Sequence, residues 1–448
     1  MSSRAFYVDF GKKQGKIKPL YGINGGPLVG GALLPHDMSA EYSELGIPIV
    51  RCVMPDGSYG YNQLLCVHSI FPDFSLDECD ERSYNFAPTD NYLLKIRDTG
   101  AEIFYTLGES CEPYGRPLYA KSPADKEKWA RICEHIVMHY NESWAAGYKW
   151  NIKYFEIWNG ADFREGFADG GAEFFELYRV VANHLKTRFP RIKVGGFGAT
   201  GFASLNRIDA DDNAREIFDF TTDFLTYVGK NDTKAPLDFF TWKCYAKTPE
   251  ELFMHSKYAR AYLDAAGHKR AKSIICEFGA MLDGRTPPAL WDGYPSFFAS
   301  SLILAQKGAT DALILSTAEP HDARNALYTV DDGVTHRHYV GYEVALAFSE
   351  LYRLGSVAEV SDDYPREINI LAAKGNAGGM VLLSSRTFSG RVEISLRGSD
   401  YSTCSVKRIA PGGERGEGRV SCLENLKIAA DKIVLSVKCG EIYTISLS

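Results

Sequence analysis

The chain has 448 residues, 45% of them hydrophobic and 24% charged, with a formal net charge of −7 and ten cysteines. That length suits a barrel of roughly 250 residues or more plus a smaller domain, and the negative balance argues against nucleic acid or an anionic membrane surface and for neutral or cationic small molecules. The cysteines lack any C-x-x-C pair, no apolar run approaches a transmembrane length, and the opening residues lack a signal-peptide pattern, so a cytoplasmic protein with reduced thiols is expected.

Short apolar runs alternate with longer amphipathic ones along most of the chain. Residues 20–24 read as a first strand that ends at Gly25-Gly26-Pro27, and a helix near 37–45 leads to a second strand at 47–53. A helix at 92–99 precedes a third strand at 102–107, and residues 126–140 repeat apolar side chains at Trp129, Ile132, Cys133, Ile136 and Val137, a helical spacing. The fourth strand enters from Ile152 through Tyr154-Phe155-Glu156-Ile157-Trp158 and breaks off at Asn159-Gly160, so it delivers polar groups to a loop.

Helices near 173–189, 213–227, 249–266, 294–307 and 341–354 then alternate with strands at 192–197, 237–242, 273–278 and 312–316. Parallel neighbours need helical crossovers, so eight such units point to a (β/α)8 TIM barrel over residues 18–355. After Gly355 the pattern changes to strand-length runs at 368–372, 380–383, 391–396, 404–406, 433–437 and 442–445, separated by Gly, Asn, Asp and Ser turns. They read as an accessory antiparallel β-sandwich over 356–448, completed by an N-terminal strand within residues 1–17.

Function in such a barrel sits at the C-terminal ends of the strands. The polar residues there are Asn24, Arg51, Asp56, Glu109, Glu112, Asn159, Tyr245, Glu277, Glu319, His321 and Asp322. Glu277 is the sharpest, since it follows the apolar run Ser273-Ile274-Ile275-Cys276 and precedes Phe278-Gly279. A strand-end carboxylate is also often just solvated or paired with an arginine, and Arg51 can pair structurally or orient Glu277 and Asn159. Trp158, Trp242, Trp291, Tyr105, Tyr114 and Phe278 are candidates to stack on a bound ligand, although most aromatics belong to the core. His135 and His139 have an i, i+4 spacing but no H-E-x-x-H order, so a solvated helix face is expected and no metal. Gly195-Gly196-Phe197-Gly198 lacks G-x-G-x-x-G, which speaks against a dinucleotide site; no cofactor is expected.

Phe155-Glu156-Ile157-Trp158-Asn159 on the fourth strand and Ile274-Ile275-Cys276-Glu277-Phe278-Gly279 on the seventh resemble clan A glycoside hydrolases, most of all family 39, which includes β-xylosidases and α-L-iduronidase. Leu237-Asp238-Phe239-Phe240-Thr241-Trp242 with Tyr245 supports the resemblance. It implies a retaining, exo-acting enzyme that cleaves a terminal sugar, such as a xyloside or arabinoside, from a small or oligosaccharide glycoside, with no nucleic-acid or membrane partner. It also implies that Glu277 is the nucleophile, that Asn159 bonds the sugar's 2-hydroxyl and that Tyr245 holds the nucleophile; members of the family often associate as homo-oligomers. Lys243 stands where the family often has His.

The resemblance breaks at Gly160. The family has there a glutamate that serves as general acid and base, and glycine can neither donate nor accept a proton. Three explanations stand open: a glutamate replaced in an otherwise ordinary glycosidase, a natural enzyme in which Asp162, Glu165 or Glu109 serves instead, and a pseudoenzyme that binds sugar without cleaving it. Unrelated barrel chemistry has thinner support, in Lys243 as an aldolase lysine or His321-Asp322 as part of a metal site.

Overall fold

In the computed structural model, eight parallel strands close into a barrel in chain order: Gly22–Asn24, Ile49–Cys52, Glu102–Leu107, Tyr154–Ile157, Lys193–Ala199, Phe239–Ala246, Lys272–Ala280 and Ala312–Leu315, called strands one to eight below. The structure describes residues 2–29, 36–53, 65–108, 121–201, 212–282, 290–316, 318, 327–331, 335–361, 366–376, 378–412, 419–428 and 431–448. Asp56, Glu109, Glu112, Tyr114, Glu319, His321 and Asp322, all singled out in the sequence, lie outside these residues.

A helix follows each barrel strand: Ser39–Leu45, Ala87–Asp98, Lys126–Glu142, Gly171–Arg188, Asp212–Gly229, Pro249–Ala265, Tyr294–Lys307 and Val340–Leu354. Their starts are locally encoded. The Asp125 carboxylate accepts from the Lys128 amide, and the Thr248 hydroxyl from the Glu251 amide just before Pro249, so orphan donors of the first turn are satisfied. Helix Lys126–Glu142 buries Trp129, Ile132, Cys133, Ile136, Val137 and Tyr140 on one stripe, as its spacing predicts. Among the described residues, no helix is long and apolar enough to cross a membrane.

The second layer is one hydrogen-bonded sheet of nine strands that curls around its own core, where two sheets were expected. The N-terminal strand Ser3–Lys16 is inserted in it, antiparallel to Ser356–Val360 and parallel to Gly390–Arg397. Ser356–Val360 and Arg419–Lys427 were not expected as strands. Arg419–Lys427 is an edge strand whose Val420 and Leu423 face solvent, so these apolar residues mark no buried face for a sequence pattern to reveal.

Alternation along the inner strands of this sheet sorts side chains between two cores. Val381 and Leu383 join Phe6, Val8 and Ile394 inside the curl, whereas Met380 and Leu382 join the cluster of the barrel and its helices. The sheet is thereby welded to the barrel through helices Tyr294–Lys307 and Val340–Leu354. Within the weld the buried Ser300 hydroxyl donates to Ser384 at 2.9 Å, and Ser384 donates to the Ser296 carbonyl at 3.1 Å. Leu382→Ala is expected to lower unfolding free energy by about 2–5 kcal/mol. Val434→Ala, at an exposed position of the other edge strand, should change it by less than about 0.5 kcal/mol. Equal effects in denaturant titrations would show that the sheet is not joined to the barrel core in this way.

Candidate active site

The barrel interior is built in layers that follow the two-residue period of the strands. Ile49, Phe104, Phe239, Ile274, Ala312 and Ile314 form an apolar plug, with Tyr154 packed against it. Two residues further along the same strands stand Arg51, Thr106, Glu156 and Thr241, so a polar layer rests directly on the plug.

Arg51 is the centre of that layer and is fully buried. Its Nε donates to Glu156 Oε2 at 2.8 Å, its Nη1 to Asn24 Oδ1 at 3.1 Å and its Nη2 to Asn159 Oδ1 at 2.8 Å. Glu156, also fully buried, accepts from Thr106 at 2.7 Å and from Thr241 at 2.5 Å. Thr241 accepts from the Gly198 amide at 2.8 Å, and Asn24 donates to the carbonyls of Cys276 at 2.7 Å and Leu315 at 2.8 Å. Each of the eight strands contributes a group to this one network. A Cβ at Gly198 would collide with Asn159 Oδ1 and crowd Arg51, so the glycine-rich run of strand five gives the Asn159 side chain its place.

Glu277 stands above Arg51. The pairing of strands six and seven runs Ile274 with Thr241 and Ile275 with Trp242, then slips so that Glu277 pairs with Lys243. Cys276 is therefore the extra residue of a bulge, and without it Glu277 would follow the alternation away from the inward-facing Thr241 and Lys243. Lys243 Nζ lies 2.9 Å from Glu277 Oε1 and Arg51 Nη1 3.8 Å from the same oxygen, while the Tyr245 hydroxyl donates to Oε2 at 3.2 Å. The Glu277 side chain keeps 17% of its surface exposed, so the carboxylate is braced from below and open above. Burial alone would raise its pKa, but Lys243 and Arg51 outweigh burial and hold the carboxyl below the ordinary glutamate value. Burial likewise opposes the Lys243 charge, and the Glu277 carboxylate reverses that effect and keeps the ammonium protonated.

The loop after strand four carries the third feature. Gly160 has φ +65° and its amide donates to the Phe197 carbonyl at 2.6 Å. A Cβ at 160 would strain the left-handed backbone, strike the Phe163 ring and lie 3.3 Å from Thr200 Cγ2. Asp162 is 8% exposed. Its Oδ2 accepts from the Thr200 amide at 2.7 Å, and its Oδ1 is buried without a hydrogen bond among the described residues. Burial raises the Asp162 pKa to about 6 against the opposing pull of Thr200 and the nearby Lys243 charge.

Of the residues expected at the site, Asn24, Arg51, Asn159, Tyr245 and Glu277 come together, and Gly160 and Asp162 flank them. Glu165 is exposed. Trp158, Trp242, Phe278 and Tyr105 need correcting, because all four rings are buried in the core and offer no face to a sugar. The Trp158 indole donates to the Gly166 carbonyl at 2.8 Å and the Trp242 indole to Ser273 at 3.0 Å, which fixes them as struts. Trp291 is half-buried against Phe297. His139 is likewise no solvated face: it is buried between Asp90 and the Trp144 carbonyl and stacked on Phe86. Among the described residues, no group of three His, Cys, Asp or Glu side chains is placed to hold a metal. Glu156, Thr106 and Thr241 were not expected at the site; their inward alternation with Arg51 was the available signal.

The sequence profile of "Glycosyl hydrolases family 39" matches residues 51–280. Among solved structures, a glucosidase from Croceicoccus marinus is similar at TM-score 0.80 and 19% identity over 100% of this chain and 99% of that one. A monomeric beta-xylosidase from Caulobacter crescentus CB15 is similar at TM-score 0.70 and 15% identity, over 99% of both chains. An alpha-L-arabinofuranosidase from Thermotoga maritima is similar at TM-score 0.70 and 12% identity, again over 99% of both.

The backbone at residue 160 has a measurable consequence. Gly160→Ala is expected to lower stability by about 1–2 kcal/mol from the left-handed conformation alone, with a further loss from displacing Phe163. An unchanged unfolding midpoint in denaturant would mean that this residue does not hold the left-handed conformation.

Proposed function

The chain belongs to glycosyl hydrolase family 39 and is a glycosidase, and from that premise we propose that it is a retaining, exo-acting enzyme whose nucleophile is Glu277. Its substrate on this reading is a terminal xyloside, arabinoside or related sugar, in keeping with the similar beta-xylosidase and alpha-L-arabinofuranosidase structures. The observation that carries the reading is the Glu277 carboxylate, kept ionised by Lys243 and Arg51, steadied by Tyr245 and open on one side.

The chemistry follows from that placement. Glu277 attacks the anomeric carbon, the glycosidic C–O bond breaks, and a glycosyl ester forms; water then cleaves the ester with retention. Asn159, oriented by Arg51, stands beside the nucleophile to bond the sugar's 2-hydroxyl. The carboxylate that would protonate the leaving oxygen is missing at Gly160. The left-handed backbone there supports a native glycine over a glutamate lost from an otherwise unaltered loop, since a side chain at 160 would be strained.

A 2,4-dinitrophenyl 2-deoxy-2-fluoro glycoside needs no proton on its leaving group and so tests Glu277 independently of the missing acid. Across a xylo, arabino and gluco panel, one sugar is expected to label the protein once per chain, with the mass gain on the peptide that contains Glu277. Labelling on another residue, or none with any sugar, would overturn the assignment. Lys243 is a positioning residue in this scheme. Lys243→Met removes the charge that holds Glu277 low, so the acid limb of kcat/KM should move up by about one pH unit or more, and Lys243→Arg should restore most of it. An unmoved limb would mean that Lys243 does not set the nucleophile's ionisation.

A further inference from the structure

Breaking a glycosidic bond to an ordinary alcohol needs a proton delivered to the leaving oxygen, and Gly160 has no side chain to deliver one. The nearest acidic group in chain order is two residues on. Asp162 sits in the same loop, at the C-terminal end of strand four, and its anchor is Thr200 at the end of strand five. Thr200 is also a neighbour that a side chain at 160 would touch. Asp162 and Gly160 therefore share Thr200 as a neighbour on the same side of the loop.

Its two oxygens are used unequally. Oδ2 is committed to the Thr200 amide at 2.7 Å, whereas Oδ1 is buried and makes no hydrogen bond among the described residues. A buried carboxylate oxygen without a donor is costly when ionised and is relieved when it carries a proton.

We propose that Asp162 is the general acid and base of this site, in place of the carboxylate absent at 160. The inference rests on the reading of Glu277 as nucleophile. In the first step the Asp162 carboxyl gives its proton to the glycosidic oxygen as Glu277 attacks; the alcohol leaves, and Asp162 becomes a carboxylate. In the second step that carboxylate takes a proton from water, the water oxygen attacks the anomeric carbon, the ester bond breaks, and Glu277 is regenerated beside a reprotonated Asp162. Glycoside and water are consumed, sugar and alcohol are released, and both carboxyl groups return to their starting states.

The electrostatics support the roles. Glu277 lies below the ordinary carboxyl range and Asp162 is raised to about 6, so at mildly acidic pH one is ionised and the other protonated. Lys243 links them: it pairs with Glu277 at 2.9 Å and its charge also acts on Asp162. When Glu277 becomes an ester, Lys243 loses that partner, and its charge then favours ionised Asp162, the form the second step requires. Glu165, the other carboxylate of this loop considered for the role, is exposed.

The test compares Asp162→Ala and Asp162→Asn with the unaltered chain on two glycosides of whichever sugar Glu277 accepts, one with a 2,4-dinitrophenyl and one with a methyl leaving group. Hydrolysis of the methyl glycoside is expected to fall on the order of 10²–10⁴-fold. The dinitrophenyl glycoside should still give a stoichiometric burst and then stall, and azide should restore turnover and yield a glycosyl azide of retained configuration. The basic limb of kcat/KM near pH 6 should disappear in both variants. Asp162→Asn, which keeps an oxygen for the Thr200 amide, guards against misreading a fold defect. Methyl glycoside rates within about threefold of the parent would overturn the proposal, as would equal loss of burst and hydrolysis in Asp162→Asn, or the same kinetic pattern produced by Glu109→Ala instead. Failure of the 2-fluoro glycosides to label Glu277 in the unaltered chain would instead count against Glu277 as nucleophile.

Discussion

The buried pair of Arg51 and Glu156 is the interaction on which the rest of the barrel top depends. Two charges removed from water are costly unless every donor and acceptor around them is engaged. Here Arg51 spends its guanidinium on Glu156, Asn24 and Asn159, and Glu156 is further bonded by Thr106 and Thr241. Through Asn24 and Gly198 the network reaches the remaining strands. A closed barrel has no edge from which it could relax, so a network touching every strand fixes the rim as a unit.

That rigidity sets up the chemistry above it. Arg51 acts in two directions: it neutralises Glu156 below and contributes to the field that keeps Glu277 ionised. Lys243 then supplies the closer charge from the neighbouring strand. Asp162, in contrast, meets mainly burial and the Thr200 amide. The Glu277 and Asp162 carboxyl groups are thus pushed in opposite directions by surroundings that differ in cationic neighbours.

The curled sheet lies away from this rim yet is bound to the barrel by its alternating side chains and by the Ser296, Ser300 and Ser384 contacts. The first strand in sequence lies third from one edge of this sheet, between strands from the far end of the chain, so the barrel is enclosed in sequence between segments of one sheet. The helices Tyr294–Lys307 and Val340–Leu354 that carry the weld follow strands seven and eight, so the sheet braces the side of the barrel that presents Glu277.

The eight-fold alternation of strand and helix was legible in the sequence, because a parallel strand buried on both faces and an amphipathic helix have different apolar periods. Glu277, Asn159, Arg51 and Tyr245 were legible as polar residues at strand ends, and the absence of a carboxylate at Gly160 was visible as a letter. Other features depended on contacts between distant residues. The bulge at Cys276 that aims Glu277 inward arises from pairing with strand six, so no local pattern announces it. The aromatic residues expected at sugar subsites proved to be struts, since a ring in an apolar run has the same sequence signature whether its face meets ligand or core. The left-handed turn at Gly160 and the unmatched oxygen of Asp162 likewise exist only once strands four and five meet. Composition and periodicity by themselves determined the barrel and its polar rim; the tertiary structure decided which carboxyl group is held below its ordinary pKa and which is pushed above it, because ionisation is set by neighbours in space rather than in sequence.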